Sequence, residues 1–168
     1  MKLAIFDVDW TLIKPKEGRT FPKNRYDWQW LTDSVIKTLR NYSTDYKIVF
    51  VTDQTKSWKV DMINDIIEEL NIDVTLIISM NKETNKPNKT LFEEQIKNYD
   101  KKASFYVGDA GNDEGDWSDV DINFAKNIGV PFYKPESIFP ISNEEYEYDI
   151  DIPDYKEIII MVGYPGSG

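Results

Sequence analysis

Four short, nearly unbroken apolar runs are spaced along the chain, and helical patterns fill the gaps between them. The runs lie in residues 2–7, in Lys47-Ile48-Val49-Phe50-Val51, in Val74-Thr75-Leu76-Ile77-Ile78 and in Ala103-Ser104-Phe105-Tyr106-Val107. A strand that is apolar on both faces belongs in a sheet covered on both sides, the usual setting of parallel strands. Between the runs, Leu31, Val35, Ile36 and Leu39 form one helical stripe. Ile63, Ile66, Ile67 and Leu70 form a second, with Asp61, Asn64, Asp65, Glu68 and Glu69 on the opposite side. Thr90 to Tyr99 and Val120 to Ile128 are shorter helical candidates, the latter closed by Gly129. Strands alternating with helices predict an α/β domain: a doubly wound, mostly parallel sheet with helices on both faces. A length of 168 residues suits one such domain.

In open α/β sheets, ligands gather at the carboxyl ends of the strands. The first run leads straight into Asp7-Val8-Asp9-Trp10-Thr11-Leu12. Residues i and i+2 share a face of an extended chain, so Asp7 and Asp9 can act on one bound group. Such a pair can hold a hard cation such as Mg²⁺, or one carboxylate can attack phosphorus while its neighbour moves a proton. The second run ends in Thr52-Asp53-Gln54, and a hydroxyl beside backbone N–H groups can bind phosphate oxygens. After the third comes Asn85-Lys86-Pro87, whose lysine can neutralise charge on a transferring phosphoryl group. The fourth ends in Gly108-Asp109-Ala110-Gly111-Asn112-Asp113, where Asp109 can complete a metal site. Each feature alone has a plain explanation as a turn, a helix cap or a loop. As an ordered set they supply what one phosphoryl-transfer site requires.

The composition removes the competing chemistries. The chain has no Cys and no His. A thiolate nucleophile, a phosphohistidine, a Ser-His-Asp triad and a Cys/His zinc site are therefore excluded, and 30 acidic residues remain to do the work. No disulfide can form, which fits an intracellular setting, cytoplasm or nucleus. No apolar run reaches the length of a membrane span, and the N-terminus lacks a signal pattern. The net charge of −10 argues against a general nucleic-acid-binding surface. Locally the balance reverses: Lys14, Lys16, Arg19, Lys23 and Arg25 stand against a single acid, Glu17.

With Asp-x-Asp-x-Thr at residues 7–11, then Thr52, Lys86 and Asp109 in that order, the chain resembles the phosphatases of the haloacid dehalogenase superfamily. The resemblance implies that Asp7 is the nucleophile and forms an aspartyl-phosphate. It implies that Asp9 protonates the leaving oxygen and then activates water, and that Thr52 and Lys86 hold the phosphoryl oxygens. It also implies that Asp7, the backbone carbonyl of Asp9 and Asp109 bind Mg²⁺. Many relatives carry a cap domain. Residues 13–30 leave no room for one, and residues 55–85 hold only one helix and one strand. The expectation is a capless, open site, which suits the end of a polymer.

A narrower resemblance is to the 3′-phosphatase domain of polynucleotide kinase/phosphatases. It rests on Phe6-Asp7-Val8-Asp9-Trp10-Thr11-Leu12-Ile13, Phe21-Pro22, Asp27-Trp28 and Phe105-Tyr106-Val107-Gly108-Asp109-Ala110. Gly115-Asp116-Trp117-Ser118-Asp119-Val120-Asp121 and residues 124–132 extend it, so that it covers roughly residues 2–140. It implies Mg²⁺-dependent removal of 3′-phosphates from nucleic-acid ends, on a single strand or at a nick, by a monomer working in end repair. Thr11, Lys14, Lys16, Arg19 and Trp28 are the expected substrate-binding residues, since backbone neutralisation plus base stacking is how single strands are held. Asp53 and Asn85 depart from the pattern, where relatives usually carry Asn and Arg. Residues 1–143 are read as the phosphatase domain and 144–156 as an acidic linker. Residues 157–168, an apolar strand running into Gly163-Tyr164-Pro165-Gly166-Ser167-Gly168, are read as the start of a P-loop kinase domain cut off before its lysine. No kinase activity is expected of this chain. The alternatives are a capless sugar-phosphate or histidinol-phosphate phosphatase, and a non-catalytic module that binds nucleic-acid ends.

Overall fold

The computed structural model describes residues 1–141. The expected acidic linker and the P-loop-like segment lie outside the described residues. The first apolar run forms β1 (Leu3–Phe6). Two very short strands follow, β2 (Ile13–Lys14) and β3 (Gln29–Trp30), then α1 (Val35–Tyr42). Next come β4 (Lys47–Asp53), α2 (Ser57–Leu70), β5 (Val74–Ser79) and α3 (Thr90–Gln95). β6 (Phe105–Val107), α4 (Val120–Ile128), β7 (Phe132–Tyr133) and α5 (Pro135–Ile138) complete the described chain.

Five strands make one sheet in the order β5-β4-β1-β6-β7. Every pairing in it is parallel. Alternation along β1 divides the core. Ala4 and Phe6 face a layer containing Val35 and Leu39 of α1 and Met62, Ile63, Ile66 and Leu70 of α2. Leu3 and Ile5 face the other, which holds Phe92 of α3 and Phe124, Ala125 and Ile128 of α4. The sheet is thus covered on both faces, which is why its strands read as continuous apolar runs instead of alternating ones. Each fully buried side chain of the size of Phe6 or Ile5 contributes about 1.5–3 kcal/mol.

α1 starts four residues later than its apolar stripe implied, because Leu31 belongs to the loop before it. α3 stops at Gln95, short of Tyr99. α4 ends as expected, with Gly129 at φ 81° accepting the left-handed turn. β2 and β3 pair antiparallel and form a small flap beside β1. Among the described residues no cap domain is inserted: the flap is all that lies between β1 and α1. No helix among them is long and apolar enough to cross a membrane.

Candidate active site

β1 lies in the middle of the sheet, between β4 and β6, so the carboxyl ends of these three strands sit side by side. Asp7 leaves β1 with its N–H donating to the Val107 carbonyl of β6, 2.9 Å away. Its carboxylate is nearly buried and meets Lys86 Nζ at 2.8 Å. Lys86 arrives on the loop after β5, and Asp53 fixes that loop by accepting the Lys86 backbone N–H at 3.1 and 3.2 Å. The Lys86 ammonium also donates to Asp121 Oδ1 at 2.7 Å and to the Tyr106 hydroxyl at 3.0 Å. Asp121, in the first turn of α4, accepts from Tyr106 at 2.7 Å and from the Ala110 N–H at 3.0 Å. Carboxylate oxygens of Asp7, Asp109 and Asp121 lie within 4.8 Å of one another.

This cluster carries an excess of acid. Burial, and then the charges of Asp121 and Asp109, push Asp7 well above the usual carboxylate range, against the pull of Lys86. Asp109 is pushed up to about 6 by burial and by Asp121. Burial works against the Lys86 ammonium too, but Asp7, Tyr106 and Asp121 overcome it and raise its pKa well above that of an ordinary lysine. These shifts share one cause: three carboxylates crowd a pocket that holds one ammonium. Hard oxygen donors with unbalanced negative charge fit a hard divalent cation such as Mg²⁺.

Asp9 stands at the rim and is 37% exposed in its side chain. Its Oδ1 accepts from Lys59 Nζ at 2.6 Å and its Oδ2 from Gln54 Nε2 at 2.9 Å. Gln54 also donates to the buried Thr52 hydroxyl at 2.8 Å, so Thr52 and Asp9 are tied together. Thr11 is fully buried, and its hydroxyl donates to Asp7 Oδ2 at 3.4 Å.

The loop between β2 and β3 is organised by buried Asp27. That carboxylate accepts from the Lys16 and Lys23 N–H groups and, in two bonds of 2.9 and 2.7 Å, from Arg19. Arg19 also reaches Glu17 at 2.8 Å, so its guanidinium is committed within the loop. Trp28 is half-buried, edge-on to Trp30 at 5.2 Å and packed on the core. The structure gives Arg19 and Trp28 structural partners, whereas the side chains of Lys14, Lys16 and Lys23 enter no ion pair among the described residues. Exposed Phe21 of the loop meets exposed Trp117 at 5.9 Å between ring centres. Two grooves open beside them. One, of about 470 Å³, runs past Asp9, Phe21, Lys56 and Trp58. The other, of about 590 Å³, runs past Asp109, Trp117 and Lys134. Trp10 lines both.

The structure therefore brings Asp7, Lys86 and Asp109 into one pocket, with Asp9 and Thr52 linked beside it. Sequence reasoning missed four members. Tyr106 was concealed in an apolar strand, and Asp121 in an ordinary acidic helix start. Gln54 closes the Thr52-Asp53-Gln54 run, in which only Thr52 drew a role. Lys59 did carry a signal: it lies on the apolar stripe of α2, at the spacing shared by Met62, Ile63, Ile66 and Leu70.

The sequence model of the family described as polynucleotide kinase 3 phosphatase matches residues 2–139. A bifunctional polynucleotide phosphatase/kinase of Schizosaccharomyces pombe is 30% identical over 200 residues, covering 99% of this chain and 49% of that protein. The chain thus spans about half the length of that relative. An uncharacterised 20.8 kDa protein of Autographa californica nuclear polyhedrosis virus is 35% identical over 158 residues, covering 83% of this chain and 86% of the viral protein. In fold, the chain resembles the crystal structure of a D,D-heptose 1,7-bisphosphate phosphatase from B. bronchiseptica complexed with magnesium and phosphate. The TM-score is 0.57 at 17% identity, over 78% of this chain and 79% of that one.

Proposed function

This chain belongs to the polynucleotide kinase 3 phosphatase family, and on that premise we propose that it removes the phosphoryl group from 3′-phosphate ends of nucleic-acid strands. The observation that carries the reading is the convergence of Asp7, Asp109, Asp121 and Lys86 at the carboxyl ends of neighbouring strands. Asp7 attacks phosphorus; a bond forms from its carboxylate oxygen, and the bond from phosphorus to the 3′ oxygen breaks. Asp9 gives the departing oxygen its proton. It then takes a proton from water, which attacks the aspartyl-phosphate, frees phosphate and restores Asp7. Lys86 and Thr52 hold the phosphoryl oxygens while their charge is redistributed. Mg²⁺, held by Asp7, Asp109 and the Asp9 carbonyl with Asp121 alongside, would offset the repulsion between the attacking carboxylate and the phosphate.

What supports a polymer substrate is the open rim. Exposed Phe21 and Trp117 offer faces for bases, and Lys14, Lys16, Lys23 and Lys56 offer charge for a backbone. The test is Mg²⁺-dependent phosphate release from matched 3′-phosphorylated DNA, RNA and mononucleotide, with heptose bisphosphate and histidinol phosphate beside them and Asp7→Asn as control. The oligonucleotides are expected to be turned over with the highest kcat/KM, and Asp7→Asn is expected to be inert. A preference for either small phosphate would overturn the polymer reading, and an active Asp7→Asn variant the nucleophile.

A further inference from the structure

Lys59 lies outside the pocket of Asp7, Lys86, Asp109 and Asp121, on the wall of the groove of about 470 Å³ beside Asp9, and has no part in the steps given above. It is nevertheless 5% exposed, and an ammonium is costly to bury unless it is paired. Nothing in the packing asks for a lysine there. Residues 59, 62, 63, 66 and 70 form the buried stripe of α2, and the other four are Met62, Ile63, Ile66 and Leu70. A leucine or methionine at 59 would complete the stripe with better burial. A residue that breaks its local pattern this way points to a role outside folding.

The single hydrogen-bond partner of its ammonium among the described residues is Asp9 Oδ1, at 2.6 Å. Only Thr55 and Lys56 separate Gln54, which follows the end of β4, from the first residue of α2. The first turn of the helix is therefore anchored over the strand end that carries Thr52. Gln54 grips the other oxygen of Asp9 from the strand side and Lys59 from the helix side. A rim carboxylate 37% exposed would otherwise sample several rotamers. Held at both oxygens, it keeps one orientation, tied through Gln54 to Thr52.

We propose that Lys59 is the positioning residue of Asp9: it acts through that carboxylate, keeps it in the orientation for proton transfer, and makes no contact with substrate. This rests on the role given to Asp9 under the proposed function. A lysine that acts only through Asp9 affects turnover and not substrate affinity, and its effect vanishes once Asp9 can no longer transfer a proton.

The experiment is a double-mutant cycle of Lys59→Met and Asp9→Asn, read as kcat and KM on a 3′-phosphorylated oligonucleotide with Mg²⁺, with a thermal melt of each protein. Lys59→Met is expected to lower kcat about 10–100-fold with KM within about twofold. Its melting temperature should be equal or higher, because methionine completes the apolar stripe. In the Asp9→Asn background the same change should cost less than about twofold. Should Lys59→Met fail to fold, Lys59→Gln takes its place in the cycle. Lys59 variants with wild-type kcat, or with the same loss in both backgrounds, overturn the proposal. A fully active Asp9→Asn variant removes the role of Asp9 itself, and this inference with it; an inert Asp9→Asn beside a fully active Lys59→Met sinks the inference alone.

Discussion

Trp10 holds a backbone conformation that a bulky side chain rarely adopts, φ 58°. The left-handed region costs a non-glycine residue roughly 1–2 kcal/mol. The tight turn after β1 imposes it: the Leu12 N–H bonds the Val8 carbonyl at 2.9 Å and the Trp10 N–H the Ile13 carbonyl at 2.7 Å. The strained residue stands between both grooves, its indole N–H on the Thr20 carbonyl at 3.1 Å. Trp10→Gly should therefore fold, with relief of strain offsetting the lost packing to within about 3 °C in Tm. Its kcat/KM on a 3′-phosphorylated oligonucleotide should fall by about fivefold or more while p-nitrophenyl phosphate is unaffected. Equal losses on both substrates would place Trp10 in the turn and not at the strand. Gly108 makes the opposite case, a residue that cannot grow. A Cβ there would sit 2.5 Å from Asp121 Cγ, and Asp121 cannot yield because Lys86, Tyr106 and Ala110 all hold it. Gly108→Ala should lose about 1–3 kcal/mol in urea unfolding and most of its phosphate release. A variant of wild-type stability and rate would show that Asp121 can move freely.

At the level of elements, the legible parts are those with a period. β1, β4, β5 and β6 and helices α2 and α4 announce themselves by apolar runs or stripes. β2, β3 and β7 have two residues each, too few for any alternation to register. The strand-end carboxylates were readable because order and spacing carry chemistry. Asp121 and Tyr106 were not, since their contacts come from the packing of α4 and β6 onto one strand end, and Lys59 showed only as a lysine on the apolar stripe of α2. Asp27 entered only through the Asp27-Trp28 match, with no role attached, yet it organises the whole loop between β2 and β3. The Arg19 guanidinium, with the Lys23 and Lys16 N–H groups, holds its carboxyl well below the usual carboxylate range. The contribution of a carboxyl depressed in this way is present above its unfolded pKa and lost only as pH falls through the folded one. The loop should therefore keep its order down to about pH 4. Arg25 adds a second tie, two bonds of 3.0 and 2.8 Å to Asp65 of α2. Asp27→Asn should make residues 15–28 the first site of limited proteolysis and raise KM for the oligonucleotide, with little change for the aryl phosphate. Unchanged protease resistance would show that Asp27 is not the organiser.

For the molecule as a whole, charge is the governing quantity. A net charge of −10 would repel the proposed polyanionic substrate at long range, so on that reading the lysines of the loop act within a Debye length of about 8–10 Å. The same excess of acid is concentrated at the site, and there it bears on stability. A carboxyl whose folded pKa lies above its unfolded one stabilises the fold below the unfolded value, and that contribution is lost as pH rises through the folded one. Asp7, raised well above the usual range, and Asp109, raised to about 6, are both of this kind. Metal-free protein should thus lose stability at this site as pH climbs from about 4 through about 6. A divalent cation seated among Asp7, Asp109 and Asp121 would reverse the loss by binding the folded state alone. Mg²⁺ should raise Tm more at about pH 7.5 than at about pH 5. Any salt screens a chain of this charge, so the comparison requires Na⁺ at matched ionic strength at each pH, which should reproduce only the smaller, non-specific part. Asp109→Asn removes one crowded carboxylate, so without metal it should melt about 2–5 °C above the wild type at about pH 7.5. It should also respond to Mg²⁺ no more than to Na⁺. A wild type that Na⁺ stabilises as well as Mg²⁺ does, or an Asp109→Asn variant that keeps the full Mg²⁺ response, would mean that the three carboxylates do not form a metal site.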